Sequence, residues 1–296
     1  MDYYASGKLL LFGEYLVLRG AGLLAIPLKY GQQMKVIPIS SSEIKWTSRV
    51  LDKEWFTSRF TIEGSLIETN DEQIAATIIK LFQIIRSENP SLFHAGYHFT
   101  LQADFPIEWG IGSSSTLISL LAQWSNTDPF FLLENTFGGS GYDVACATSP
   151  GPVMFEAMDK KAVAISLSLA ITSKMLFVYS GKKQISRNEV ARFEKMNILP
   201  EAIGEMNNLV SSVISCEQVE ELERLMDQSE KLLSRILGIE PIKKSTFSDY
   251  PYGVKSLGAW GGDFFMATYR NEQEARNYFN DKGYNIQFTY DQIIKK

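Results

Sequence analysis

The sequence predicts a mixed α+β protein. Three observations carry that prediction: alternating segments rich in β-branched and aromatic residues between Ala25 and Ile62, a strand that runs through a glycine loop into a helix between Tyr97 and Trp124, and a glycine hairpin at Gly253 to Thr268 set among helical stretches. The 296 residues suffice for one large or two medium domains, and 45% hydrophobic with 21% charged residues leaves ample core. A formal net charge of −5 argues against broad nucleic-acid or anionic-membrane binding and leaves room for a local basic pocket that takes a small anion.

Cys146 and Cys216 stand far apart and form no CxxC pair, so each reads as a buried free thiol in a reducing compartment. The first apolar run, Leu9 to Leu18, has no basic segment before it and is interrupted by Gly13 and Glu14, which is unlike a signal peptide. No stretch reaches the roughly 18 apolar residues of a membrane helix. The expectation is a cytoplasmic protein, monomer or homodimer, with a small-molecule substrate and neither membrane nor nucleic-acid partner.

In order along the chain, Ser6 to Leu18 reads as a buried strand, a break at Gly13-Glu14 and a second extended or helical piece, with Lys8 and Glu14 as charges in apolar company. Ala25 to Ser40 and Glu43 to Ile62 read as antiparallel strands, and Gly64 to Asp71 as a polar connection. Ile74, Ile78, Leu81, Phe82 and Ile85 place one apolar face on a helix over Glu72 to Ser87. His94 and His98 straddle the start of the next strand, where i and i+4 lie well apart, and read as surface residues rather than a zinc pair. Strands are expected at Val153 to Glu156, Val163 to Leu169 and Met175 to Tyr179, with a soft domain boundary near residue 165. Asn188 to Leu237 is helical with breaks near Pro200 and Cys216; a helix over Asn271 to Asp281 and a strand over Tyr284 to Tyr290 close the chain.

Two glycine clusters bear on chemistry. Gly110 and Gly112 bracket Ile111, and Ser113-Ser114-Ser115 open a helix whose apolar residues are Leu117, Ile118, Leu120, Leu121 and Trp124. A helix start offers orphan N–H groups and the positive end of the macrodipole, so this is either a phosphate cradle or an ordinary serine-capped helix. It is not a Walker A loop, because no Gly-Lys-Ser/Thr follows, and it lacks the third glycine of a dinucleotide fingerprint. In the second cluster, Gly138, Gly139 and Gly141 lead into Asp143, which is either an N-cap or a working carboxylate.

Together with the hairpin, these motifs resemble the GHMP kinase superfamily, the group of galactokinase, homoserine, mevalonate and phosphomevalonate kinases. Ser6-Gly7-Lys8 through Gly13-Glu14 matches the N-terminal motif, Pro106 through Ser115 the phosphate loop, Ser140-Gly141-Tyr142-Asp143 the catalytic turn, and Gly253 through Gly262 the C-terminal glycine turn. The four occur in family order across essentially the whole chain. Glu108, Trp109, Ser115, Trp260 and Asp263 depart from the family pattern.

The resemblance implies a two-domain α+β fold: a ribosomal-protein-S5-like domain over 1–165 with the ATP-phosphate loop and catalytic aspartate, and a ferredoxin-like domain over 166–296. It further implies ATP and Mg²⁺. Gly110, Ile111, Gly112, Ser113, Ser114 and Ser115 would hold the ATP phosphates, and Ser114 and Glu134 the metal. Asp143 would accept the proton of a substrate hydroxyl, with Lys8 keeping it ionised and stabilising developing charge. Glu14, Tyr15, Ser140, Gly141, Lys255, Gly261 and Gly262 would contact the acceptor. Mevalonate is the first expected acceptor and phosphomevalonate the second; a diphosphomevalonate-decarboxylase-like enzyme, which the retained Lys8 disfavours, and a non-catalytic binding protein on the same fold are the other readings.

Overall fold

The computed structural model describes residues 1–182, 190, 192–258, 260 and 262–295; Gly261 and residues 188, 189 and 191 of the expected helical stretch lie outside them. Two compact units interleave along the chain. The first comprises Met1–Gly7, Tyr30–Ile107 and Gly112–Thr148, and the second Lys8–Lys29, Glu108–Ile111 and Ser149–Lys296. Two long strands, β1 (Asp2–Phe12) and β2 (Gly22–Ile39), therefore change unit part-way along.

In the first unit the second half of β2 pairs antiparallel with β6 (Gly96–Ala103), in register Gln32 to Ala103 through Ile39 to Gly96. Beyond β6 lie β3 (Glu43–Val50), β4 (Lys53–Thr61) and β5 (Leu66–Thr69), in spatial order β5-β4-β3-β6-β2. β3 and β6 run parallel, which requires the crossover through α1 (Glu72–Glu88). Asp71 caps α1 by accepting from the N–H groups of Gln73 and Ile74, and Ile78, Leu81, Phe82 and Ile85 turn inward. Phe82 is the centre of the aromatic core, with ring centroids of Trp46, Phe99 and Phe93 at 5.9, 5.5 and 5.9 Å. Helices α2 (Ser113–Ser125), α3 (Pro129–Glu134) and α4 (Tyr142–Thr148) pack on one another. Asp128 caps α3, as its position before Pro129 suggests.

In the second unit the first half of β2 pairs with β7 (Val153–Glu156), which pairs with β8 (Lys161–Ala164). After α5 (Leu169–Thr172) comes β9 (Met175–Tyr179), the inner strand of an antiparallel sheet completed by β10 (Val254–Ser256), β11 (Phe264–Thr268) and β12 (Gln287–Thr289) in order β10-β11-β9-β12. Helices α6 (Pro200–Ile214), α7 (Val219–Leu237), α8 (Ile242–Ser245), α9 (Glu272–Asp281) and α10 (Tyr290–Ile293) also belong to the unit. Its core gathers Leu176, Val178, Phe265 and Ala267 from the sheet with Phe247, Tyr250 and Phe279.

Three expectations shift. Part of the connection Gly64 to Asp71 is strand β5, whose four side chains are mostly exposed and so carry no alternation. The strand expected at Val163 to Leu169 ends at Ala164, because Ser168 caps a helical turn at Leu169. The last strand is only Gln287–Thr289, and a capping box at Thr289 and Gln292 starts α10.

Candidate functional site

The glycine loop was open to two readings, and its geometry separates them. Gly110 and Gly112 lie at φ 68° and 102°, a region that L side chains rarely adopt. Gly112 is itself the N-cap of α2, and no side chain caps the first turn. The serines are therefore not caps. Ser115 is buried and turns back to donate to the Gly112 carbonyl at 2.8 Å, whereas Ser114 is exposed and Ser113 half-buried. A 13-residue helix thus begins with N–H groups and two accessible hydroxyls facing no capping side chain, the arrangement that favours an anion.

Next to that helix start, the first unit holds a cavity of about 190 Å³ whose lining includes Ser113, Ser114, Trp46, Arg49, Leu101 and Leu117. Gln32 also lines it. Along β2 the residues Gln32, Met34 and Val36 face inward and Gln33 and Lys35 outward, so Gln32 is a polar side chain at a position whose neighbours are apolar. It is 8% exposed, and its Oε1 has no hydrogen-bond partner. A buried acceptor left unmatched costs about 1–3 kcal/mol. Period-two reading of Ala25 to Ser40 contains this signal, since an amide interrupts the inward-facing apolar set; it was not singled out by the motifs.

Asp143 lies in the first turn of α4, half-buried, and its Oδ1 accepts from the Val144 N–H at 3.0 Å. Ser140 and Gly141 immediately precede α4. Glu134 ends α3 and is exposed. All belong to the first unit.

Lys8, Glu14, Tyr15, Gly110, Ile111, Lys255 and Gly262 belong to the second unit. Lys8 donates its backbone N–H to the Ile111 carbonyl at 2.8 Å and its Nζ lies 3.5 Å from the Gly110 carbonyl, so this strand and the loop are tied together. Of the residues departing from the family pattern, Trp109 packs on Tyr179, Phe264 and Phe288, with centroids 6.3, 6.1 and 5.5 Å away. Tyr179 donates its hydroxyl to the Glu108 carbonyl at 3.1 Å. Burial pushes that hydroxyl's pKa up, and the Asp263 and Glu108 carboxylates add to the effect. Asp263 is 8% exposed, at φ 51°, and its carboxylate packs on Gly110: a Cβ there would stand 2.5 Å from both of its oxygens. Trp260 is buried and its backbone N–H donates to the Tyr15 hydroxyl at 3.2 Å.

Glu14 and Lys255 are an ion pair, 1% and 0% exposed, and Lys255 Nζ also donates to the Ser256 carbonyl at 2.9 Å. Glu230, on the inward face of α7, accepts from the N–H groups of Ser256 and Ile242, both at 2.9 Å. Burial raises the Glu14 pKa despite Lys255, and pushes Glu230 up to about 7, with Lys255 and the two N–H groups pulling it down. Glu230 went unnoticed in the sequence, although a carboxylate within the Leu222, Leu225, Met226, Leu233 stripe was a usable signal.

Among the described residues no group of three or more His, Cys, Asp or Glu could hold a metal ion, and no helix is long and apolar enough to cross a membrane. Ser114 and Glu134, the two residues expected to hold Mg²⁺, are both exposed.

The fold is the GHMP kinase fold. The chain is similar to Methanococcus jannaschii mevalonate kinase, with 18% identity, 97% of this chain and 96% of that chain covered, and a TM-score of 0.72. It is also similar to Streptococcus pneumoniae phosphomevalonate kinase in complex with phosphomevalonate and AMPPNP (17% identity, 97% and 99% covered, TM-score 0.71). A third such structure is Lactococcus lactis galactokinase complexed with galactose (12% identity, 99% and 92% covered, TM-score 0.72). No protein-family model matches the chain, and no curated protein matches its sequence.

Proposed function

We propose that the protein is an ATP-dependent kinase of a small molecule, with mevalonate as acceptor. The observation that carries this reading is the first-unit cavity, where an uncapped helix start with two accessible serines adjoins walls that include Trp46, Ile78, Leu101 and Leu117. That combination suits a nucleoside phosphate: anion at the N–H groups, base between the walls.

In this reading the α2 N–H groups bind the ATP phosphates, and Ser114 and Glu134 hold Mg²⁺, which neutralises phosphate charge when bound. Asp143 takes the proton of the acceptor hydroxyl as its oxygen bonds to the γ-phosphorus, and ADP leaves. Lys8 stabilises the charge that develops. Glu14, Tyr15, Ser140, Gly141, Lys255 and Gly262 are proposed to contact the acceptor; for Glu14 and Lys255 that requires their buried pair to open. Likeness to mevalonate and phosphomevalonate kinases supports an acceptor of that kind, and phosphomevalonate is the alternative.

The test is ATP binding, followed by ADP release with mevalonate, phosphomevalonate, homoserine and galactose in turn. Release with mevalonate alone upholds the proposal, and release with another acceptor reassigns the substrate. Lack of ATP binding removes the kinase reading. A second reading, a nucleotide-binding protein without phosphoryl transfer, is favoured by the Asp263 carboxylate packed on Gly110, a negative charge where phosphates are to be drawn in. ATP binding with silence across the panel is its signature.

A further inference from the structure

We propose that the second unit carries a small-molecule site of its own, a cavity beside β10 and β11 that takes a small aromatic carboxylate. The proposal goes beyond the nucleotide reading above and does not rest on it.

The cavity measures about 240 Å³, and its described lining belongs wholly to the second unit. One part of the lining is the link from α7 to α8, where Ile239, Glu240 and Ile242 are followed by Ser245 and Thr246. Another part comes from the sheet. Ser256 and Phe265 are register partners, so their side chains share one face, while Lys255 and Met266 share the other. The face that lines the cavity is the one that carries the unit's aromatic core: Phe265 packs on Phe247 and Tyr284, with centroids 4.8 and 5.4 Å away. Lys255, proposed above to meet the acceptor, stands on the opposite face. Among the described residues proposed for that role, Gly262 alone lines the cavity.

The polar groups of the lining restrict the ligand. Ser256 is 5% exposed, and its backbone is fully used, with the N–H given to Glu230 and the carbonyl taken by Lys255. Its hydroxyl has no hydrogen-bond partner among the described residues, and the same holds for the Tyr284 hydroxyl and the Lys182 ammonium. The other hydroxyls are engaged: Ser245 and Thr246 bond each other at 3.3 Å, and Ser180 is tied to the Lys182 backbone. Glu240, the carboxylate on the lining, is held by Lys244 at 2.7 Å. What is left over is a cation and two hydroxyls, which are complemented by an anionic acceptor. Ile239, Ile242, Phe264, Phe265 and the Tyr284 ring supply apolar surface for the body of the ligand. Aromatic walls with a few polar groups fit a ring bearing a carboxylate, and a cavity of this size holds one ring with a short chain.

Calorimetric titration of the full-length protein with phenylacetate tests this, with phenylacetamide and 2-phenylethylamine as neutral and cationic probes. Phenylacetate is expected to bind about tenfold tighter than 2-phenylethylamine. Ser256→Ala should weaken phenylacetate about fivefold, the factor carried by one ordinary hydrogen bond. Lys182→Gln should weaken it about threefold and leave phenylacetamide unchanged, as the loss of one exposed charge requires. The first variant removes one oxygen and the second alters an exposed residue, so both should fold. Saturating ATP should leave phenylacetate bound. Absence of phenylacetate binding, equal binding of the three probes, or unchanged affinity in both variants overturns the proposal. Displacement by ATP also overturns it, because the probe would then belong to the nucleotide site. ATP binding is measured separately, so the two readings stand or fall independently.

Discussion

Lys255 Nζ is hydrogen-bonded to Glu14 Oε1 across 241 residues of sequence, and neither side chain touches solvent beyond 1% of its surface. Removing one partner of such a pair strands the other as an uncompensated buried charge. Lys255→Met should therefore destabilise the protein by about 3–5 kcal/mol in urea denaturation. Glu14→Gln combined with Lys255→Met should recover a large part of that loss. Additive single losses would show that the pair is not coupled.

Glu230 gives stability a pH dependence whose sign follows from its burial. Its pKa, about 7 when folded against an ordinary 4.5, means that the folded protein retains a proton which the unfolded chain has released between those values. Stability should decline as pH rises from 4.5 to 7, by roughly 3 kcal/mol at 1.36 kcal/mol per unit, and level off above. The raised pKa of Glu14 acts in the same direction. Urea midpoints at pH 5, 6, 7 and 8 measure this, and Glu230→Gln should flatten the slope.

Gly110 and Asp263 form a second coupled pair. Gly110→Ala meets two obstacles, a φ of 68° and the Asp263 carboxylate, and should cost about 2 kcal/mol or more. In an Asp263→Gly background only the backbone obstacle remains, so the same substitution should cost measurably less. Equal costs in the two backgrounds would mean that the carboxylate moves aside freely.

Asp143→Asn should lower turnover by orders of magnitude while ATP affinity and thermal stability stay near native. The Val144 N–H contact of Asp143 is one that an asparagine oxygen can still accept, so little fold energy is at stake. Near-native turnover in the variant would remove the general-base assignment.

What was legible in the sequence was what repeats or is capped locally. The inward stripe from Ile78 to Ile85 announced α1, and Gly112 with three serines announced the start of α2. Strand β5 was silent because nearly all its side chains face water, and the parallel β3–β6 pairing has no local signature. Whether the serines were caps could not be read from residue type, since serine serves both roles; the backbone of Gly112 decided it. The Glu14–Lys255 pair was invisible for a different reason: both residues stood out, but nothing in a linear sequence says that two charges far apart will be sealed against each other.

The alternation of the two units along the chain has a practical corollary for dissection of the protein. No single cut separates them, because Lys8–Lys29 and Glu108–Ile111 of the second unit are enclosed by segments of the first. A fragment beginning at Ser149 would carry Lys255 without Glu14, and β7 without its β2 partner, while the complementary fragment would carry the orphaned strand. Co-expression of the two fragments returns Glu14 and the first half of β2 to Lys255 and β7, and so keeps each unit supplied with all of its own strands.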